Sequence, residues 1–216
     1  MPSAEFAQLV LRRLSERYGA EIRTQLEHRN MTHLFVAVLL SPQCTDKQVN
    51  KTTRVLFKKF RTFDDYASAD LKSLRYYLRG LNYYKTKAKH LKEAAKQIVT
   101  QFHGKVPRKI DELLEIQGVG RKVANVVLNE GYGIDEGIAV DTHSTMVARR
   151  LKLSRYKDPY KIEKELTNIY PANDWGRVSN SFIELGRDTC KARNRECFRC
   201  VLKDICPSSD VKPIKN

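Results

Sequence analysis

The segment Ile116–Asn129, IQGVGRKVANVVLN, is the stretch on which the fold turns. Apolar residues recur at helical spacing over Ile110–Ile116 and again over Lys122–Glu130. Gly118-Val119-Gly120 breaks the pattern between them. Two glycines two positions apart leave the backbone free to take positive φ and to lie close against another group. The second helix starts at once, so its unpaired N–H groups face the hairpin and make a site for an anion such as a phosphate. The pattern G-x-x-x-x-G-K-[ST] is absent, which excludes a P-loop. A plain helix–turn–helix connection with glycine caps would carry the same residues, so the segment alone leaves the function open.

Working outward, the helical period runs through almost the whole chain. Phe6, Leu9, Val10 and Leu14 form an i, i+3/i+4 stripe within Ser3–Tyr18. Thr32 is placed to cap a buried helix over His33–Leu40. Thr45 and Gln48 read as a T-x-x-Q capping box for a helix to Phe60, with Val49, Val55, Leu56 and Phe60 inward. Asp70 caps Leu71–Arg79, Gly80 stops it, and Tyr84–Phe102 is a long basic helix. Asp141 opens a helix through Leu151, Asp158-Pro159 opens another, and Asp174–Gly186 closes the set. No alternating strand pattern flanked by hairpin turns is found. The expectation is an all-α fold of about ten helices with short connections.

The 216 residues carry 40 Lys+Arg against 25 Asp+Glu, a formal net charge of +15. Between Lys72 and Lys109 stand eleven Lys/Arg and one acid, Glu93, so this stretch holds most of the excess. Such a block serves a polyanion or is a solvated helix face. With 41% hydrophobic residues the chain is no disordered basic tail. No window approaches 18 consecutive apolar residues, which excludes a spanning helix of that kind. The start, MPSAEFAQLVLRRLSER, lacks the apolar core of a secretory signal, so a cytoplasmic, nucleoid-associated protein is expected.

Cys190, Cys197, Cys200 and Cys206 fall within seventeen residues, as C-x6-C-x2-C-x5-C. Tight clustering points to a metal site rather than to a disulfide framework. By spacing alone, four thiolates fit either structural zinc or a [4Fe–4S] cluster. Cys44 stands apart and reads as a small buried hydrophobe, and Trp175 as core.

Four blocks occur together in one order: LLSPQCTDKQVN at Leu39–Asn50, the hairpin block at Ile116–Asn129, IAVDTH at Ile138–His143, and the cysteine block. In these the chain resembles the endonuclease III family of helix-hairpin-helix DNA glycosylase/lyases, over nearly its whole length. The resemblance implies a six-helix lobe over about 25–135 carrying the hairpin. It also implies a discontinuous iron–sulfur lobe from 1–24 and 136–216, with a DNA cleft between the two. The implied activity is removal of oxidised pyrimidines, such as thymine glycol, from duplex DNA. A lysine Schiff base would form, and β-elimination would then cut 3′ to the abasic site. A monomer suffices for this, and no membrane is involved.

Carried over residue by residue, the resemblance makes Lys122 the nucleophile, attacking C1′ as a neutral amine. Asp141 becomes the carboxylate that supports the oxocarbenium-like sugar and exchanges protons with the lysine, and it also suits an N-cap. Gly118 and Gly120, with Val119 between them and Arg121 behind, would contact a phosphate. The family usually has Leu-Pro before the glycine pair, where this chain has Ile116-Gln117, which relaxes the hairpin entry. A target base must be flipped out of the duplex, leaving a gap to fill. Gln43 is the implied gap filler, and Leu81, in GLNYYKTKA, the implied wedge. His143 would contact DNA or support such a contact. Lys191 and Arg193, together with Arg195 and Arg199, would lie near phosphates. The four cysteines would hold a [4Fe–4S] cluster. Two competing functions remain: a monofunctional thymine or adenine mismatch glycosylase, whose relatives generally lack the hairpin lysine, and a non-catalytic iron–sulfur DNA-binding protein, which would not need Lys122 and Asp141 together.

Overall fold

The computed structural model describes residues 3–211. Eleven α-helices occur among them: α1 Ala4–Tyr18, α2 Met31–Leu40, α3 Asp46–Lys59, α4 Phe63–Ser68, α5 Leu71–Leu78, α6 Tyr84–Gln101, α7 Ile110–Leu114, α8 Arg121–Tyr132, α9 Thr142–Arg150, α10 Pro159–Ile169 and α11 Trp175–Asp188. There is no strand among the described residues, so the all-α expectation holds. No helix among them is long and apolar enough to cross a membrane.

The helix starts follow side-chain chemistry. Ser3, Thr45, Asp70 and Asp158 each accept a hydrogen bond from the backbone N–H three residues on. Two starts differ from the reading above. The cap of α2 is Asn30, whose Oδ1 accepts from the His33 N–H at 2.9 Å, so α2 starts at Met31 and takes in Thr32. Thr45 caps α3, but Gln48 does not complete the box: its amide leaves the helix and donates to the carbonyl of Gly80. The short helix α4 carries the reciprocal box instead, between Thr62 and Asp65.

Contacts divide the chain into two compact units, Gln25–Ile134 and the remainder up to Thr24 and from Asp135 onward. The first holds α2–α8 around a core that includes Phe35, Leu40, Leu56, Tyr66, Leu74, Leu91 and Leu128. Helix α2 is apolar on every side and lies in that core, while α3 buries Val49 and Leu56 and sheds charge outward. Val55, expected inward, is 55% exposed, because it lies about 100° round α3 from Leu56, off the face that buries Val49, Thr53 and Leu56. The second unit holds α1 and α9–α11 around Leu11, Leu14, Val147, Leu166, Tyr170 and Phe182. The Tyr170 hydroxyl donates to the Ala7 carbonyl at 3.1 Å, tying the end of α10 to α1.

Candidate functional site

The hairpin is built from its own backbone together with a clamp from α6. The Ile116 N–H donates to Leu113 O at 3.2 Å, and the Val119 N–H to Ile116 O at 3.0 Å. Gly118 has φ +84°, and a Cβ there would stand 2.9–3.1 Å from the His90 side chain, so glycine is required twice over. Gly120 differs: it is an extended N-cap for α8, with φ −97°. Val119 needs correcting as a DNA contact, since its side chain is 7% exposed and its N–H is engaged within the turn. The clamp is Gln97 of α6, whose Oε1 accepts from the Gln117 N–H at 2.7 Å while its Nε2 donates to Glu115 O at 3.2 Å. Gln117 stands where the resembling family has proline. Proline has no N–H to donate, so this bond exists only without it.

Arg121 and Lys122 are the first two residues of α8, half-buried, where the helix still has N–H groups without intrahelical partners. Asp141 caps α9, its Oδ1 accepting from the Ser144 N–H at 2.8 Å. Its Oδ2 takes no hydrogen bond among the described residues, so capping fixes the carboxylate and leaves one oxygen for chemistry. His143 packs over Gly186 of α11, where an added Cβ would stand 2.7 Å from the His143 Cβ.

Gln43 is exposed in the turn between α2 and α3, in a left-handed conformation, φ +58°. Leu81 is not available as a wedge. It is 3% exposed, within the core of its unit, and its N–H closes the turn onto Leu78 O at 2.9 Å. Lys87, in the middle of the basic stretch, is buried as well: its Nζ donates to Pro42 O at 2.8 Å and lies 3.0 Å from Cys44 Sγ. Residue type alone does not say which way either side chain turns.

The cysteines line one hollow with Val147, Leu151, Leu185 and Leu202. Burial pushes the Cys200 thiol up to about 11, and raises Cys197 and Cys206 too; neighbouring cysteine sulfurs add to the effect at Cys200 and Cys206. Arg150 donates through Nη1 to Cys190 O at 2.9 Å and Lys191 O at 2.8 Å, and stands 3.2 Å from Cys190 Sγ. Among the described residues no three such ligands stand close enough to share a single metal ion. The cations of the loop are mostly committed. Lys191 pairs with Glu196 at 2.6 Å, Arg195 with Asp210 at 3.1 Å and Arg199 with Asp188 at 2.8 Å. Arg193 is exposed and has no partner among the described residues.

A family model described as HhH-GPD superfamily base excision DNA repair protein matches residues 36–172. Endonuclease III of Bacillus subtilis is 40% identical over 84% of this chain and 83% of its own length, and that of Synechocystis 39% over 86% and 85%. Among solved structures, a trapped covalent intermediate of endonuclease III with DNA superimposes with a TM-score of 0.91. It is 36% identical and matches 96% of this chain and 97% of its own. A thermostable thymine-DNA glycosylase shares the fold at a TM-score of 0.83 and 18% identity.

Proposed function

Because the chain belongs to the endonuclease III family, within the HhH-GPD superfamily of base excision DNA repair proteins, we propose that Lys122 is the nucleophile of its glycosylase/lyase reaction on oxidised pyrimidines in duplex DNA. The observation that supports this most is a lysine at the second position of α8, directly behind a turn that only glycine fits at 118. The turn and the helix N-terminus receive a backbone phosphate, which sets the sugar beside the amine. The neutral Nζ attacks C1′, the glycosidic C–N bond breaks, and the base departs with a proton. The second Nζ proton passes to O4′ as the C1′–O4′ bond breaks and the sugar opens, giving the C1′=N Schiff base. Removal of a C2′ proton then expels the 3′ phosphate, cutting the strand. Asp141 supports the developing positive charge and moves protons to and from Nζ through the oxygen its cap leaves free. The enzyme works as a monomer.

The four cysteines hold a [4Fe–4S] cluster. The donor set supports it: four thiols line one hollow whose other walls include apolar Val147, Leu151, Leu185 and Leu202. When bound, that group cross-links the loop that carries Arg193. Purified protein is expected to be yellow-brown, with iron and sulfide present; an active, iron-free, zinc-loaded protein would overturn the assignment.

The test of the reaction uses duplexes carrying thymine glycol or an abasic site, with and without borohydride. A trapped adduct and a β-elimination nick are expected, both absent in Lys122→Ala. Cleavage that persists in folded Lys122→Ala would remove Lys122 from its role.

A further inference from the structure

Among the described residues of the 25–134 unit, Lys87 is the only charged side chain that is buried, at 8% exposure. It reaches from the first turn of α6 to the turn 41–45, where Nζ donates to Pro42 O at 2.8 Å and lies 3.0 Å from Cys44 Sγ. No carboxylate pairs with it among those residues. An ammonium taken out of water needs more than the dipole of one carbonyl, and the other group at its tip is the sulfur. The turn and the facing loop 79–83 are tied further, by Asn82 Nδ2 to Gln43 O at 2.7 Å and by Gln48, which donates to Gly80 O.

An amine in contact with a cysteine sulfur becomes a reactive pair once the sulfur is oxidised. Cys44 is only partly buried, so a small oxidant such as hydrogen peroxide has a way in. The four cysteines of the loop 190–206 have no lysine at hydrogen-bond distance among the described residues. The cation beside Cys190 is Arg150, whose guanidinium stays charged and is a poor nucleophile.

We propose that Cys44 and Lys87 form an oxidative cross-link, a sulfenamide bond from Sγ to Nζ that ties the turn 41–45 covalently to α6. Hydrogen peroxide transfers one oxygen to the thiol, giving a sulfenic acid and one water. The Lys87 ammonium gives one proton to solvent, and Nζ then attacks the sulfur. The S–O bond breaks, and the departing hydroxide takes a second Nζ proton to leave as water. Sulfur loses two electrons, which the peroxide gains. A dithiol reverses the bond: its thiolate attacks Sγ and expels the amine, and its second thiol then releases Cys44. The cross-link draws Sγ and Nζ together and leaves Pro42 O with a neutral donor in place of a charged one, the weaker kind. Gln43 stands between Pro42 and Cys44, so the change acts on the implied gap filler. The bond itself is independent of the glycosylase reading above; its effect on DNA rests on that reading.

The test treats the whole protein with stoichiometric hydrogen peroxide, follows its metal content, and maps the peptides by mass spectrometry. A peptide joining Cys44 to Lys87 is expected, lighter by two hydrogen atoms than its two parts and absent after dithiothreitol. Lys87→Arg keeps the charge but cannot condense, so dimedone, which traps sulfenic acids, should label Cys44 there and not in wild type. Binding to a duplex carrying a tetrahydrofuran abasic analogue, which cannot be cleaved, should weaken about two- to tenfold on oxidation, the range of one ordinary hydrogen bond. Dithiothreitol should restore it, and Cys44→Ala should bind alike with and without peroxide. Cys44 left free, or carried to sulfenic or sulfinic acid, without the joined peptide in wild type would overturn the proposal, whether or not Lys87→Arg folds. A joined peptide with unchanged binding would overturn the link to DNA. Failure of the Lys122 reading would show in the borohydride trap alone and would leave the cross-link in place.

Discussion

The hairpin at 116–122 and the paired loops at 41–45 and 79–83 lie in the same compact unit but are held by different forces. The hairpin takes its shape mainly from neighbours in sequence: a glycine at φ +84°, two i→i+3 bonds, and a helix that starts at once, with Gln97 of α6 clamping its entry. The paired loops take theirs from side chains 32 to 45 residues away, Gln48, Asn82 and Lys87, each donating to a carbonyl of the opposite loop. A locally coded turn can be recognised by its residues alone. A turn tied from a distance cannot, and there the side chains that reach solvent are settled by the fold.

That contrast can be broken most forcefully at the hairpin. Lys122→Ala should lower strand cleavage by about a thousandfold or more, as expected when a covalent nucleophile is lost, while tetrahydrofuran-duplex binding stays within a few fold. Gly118→Ala comes next. It forces alanine into positive φ and sets its Cβ against His90, so stability should fall by about 2 kcal/mol or more, read from the urea midpoint at unchanged m-value.

The legibility of the chain follows the same line. The hairpin, the Asp141 cap and the cysteine loop were readable because each is a short run of residues with a local physical purpose. Helix α4 was missed because six residues are too few to show a period, although its Thr62–Asp65 box was there to be read. Leu81, Val119 and Val55 were misjudged in direction, inward or outward. Residue type gives no direction at a turn, and at Val55 the neighbouring Leu56 takes the core-facing place. Tyr83 is visible in the sequence as one of four tyrosines interleaved with basic residues, and the structure sets it, a poor capping residue, at a helix start.

Gln97→Ala probes the hairpin from the other side, because its clamp reaches in from α6, 18–20 residues away in sequence. Removing its two hydrogen bonds should lower stability by about 1–2 kcal/mol and slow cleavage several-fold. Asn82→Ala, which frees Gln43 O, should weaken binding to the tetrahydrofuran duplex by a few fold and leave the borohydride trap on an abasic site intact. The smallest effect concerns charge. If about five phosphates are neutralised, log K should fall with log salt at a slope of roughly −4 to −5. Lys85→Ala should reduce that slope by about 1, while Lys87→Met should leave it unchanged, since Lys87 is buried on Pro42 O.

The proposed chemistry depends on one lysine among the many that this basic chain carries. Borohydride reduction of the complex with an abasic-site duplex, followed by proteolysis and mass spectrometry of the cross-linked peptide, identifies the attacking amine. The modified residue is expected to be Lys122, in the peptide that follows Gly118-Val119-Gly120; a cross-link at any other lysine or at the N-terminal amine would contradict the account.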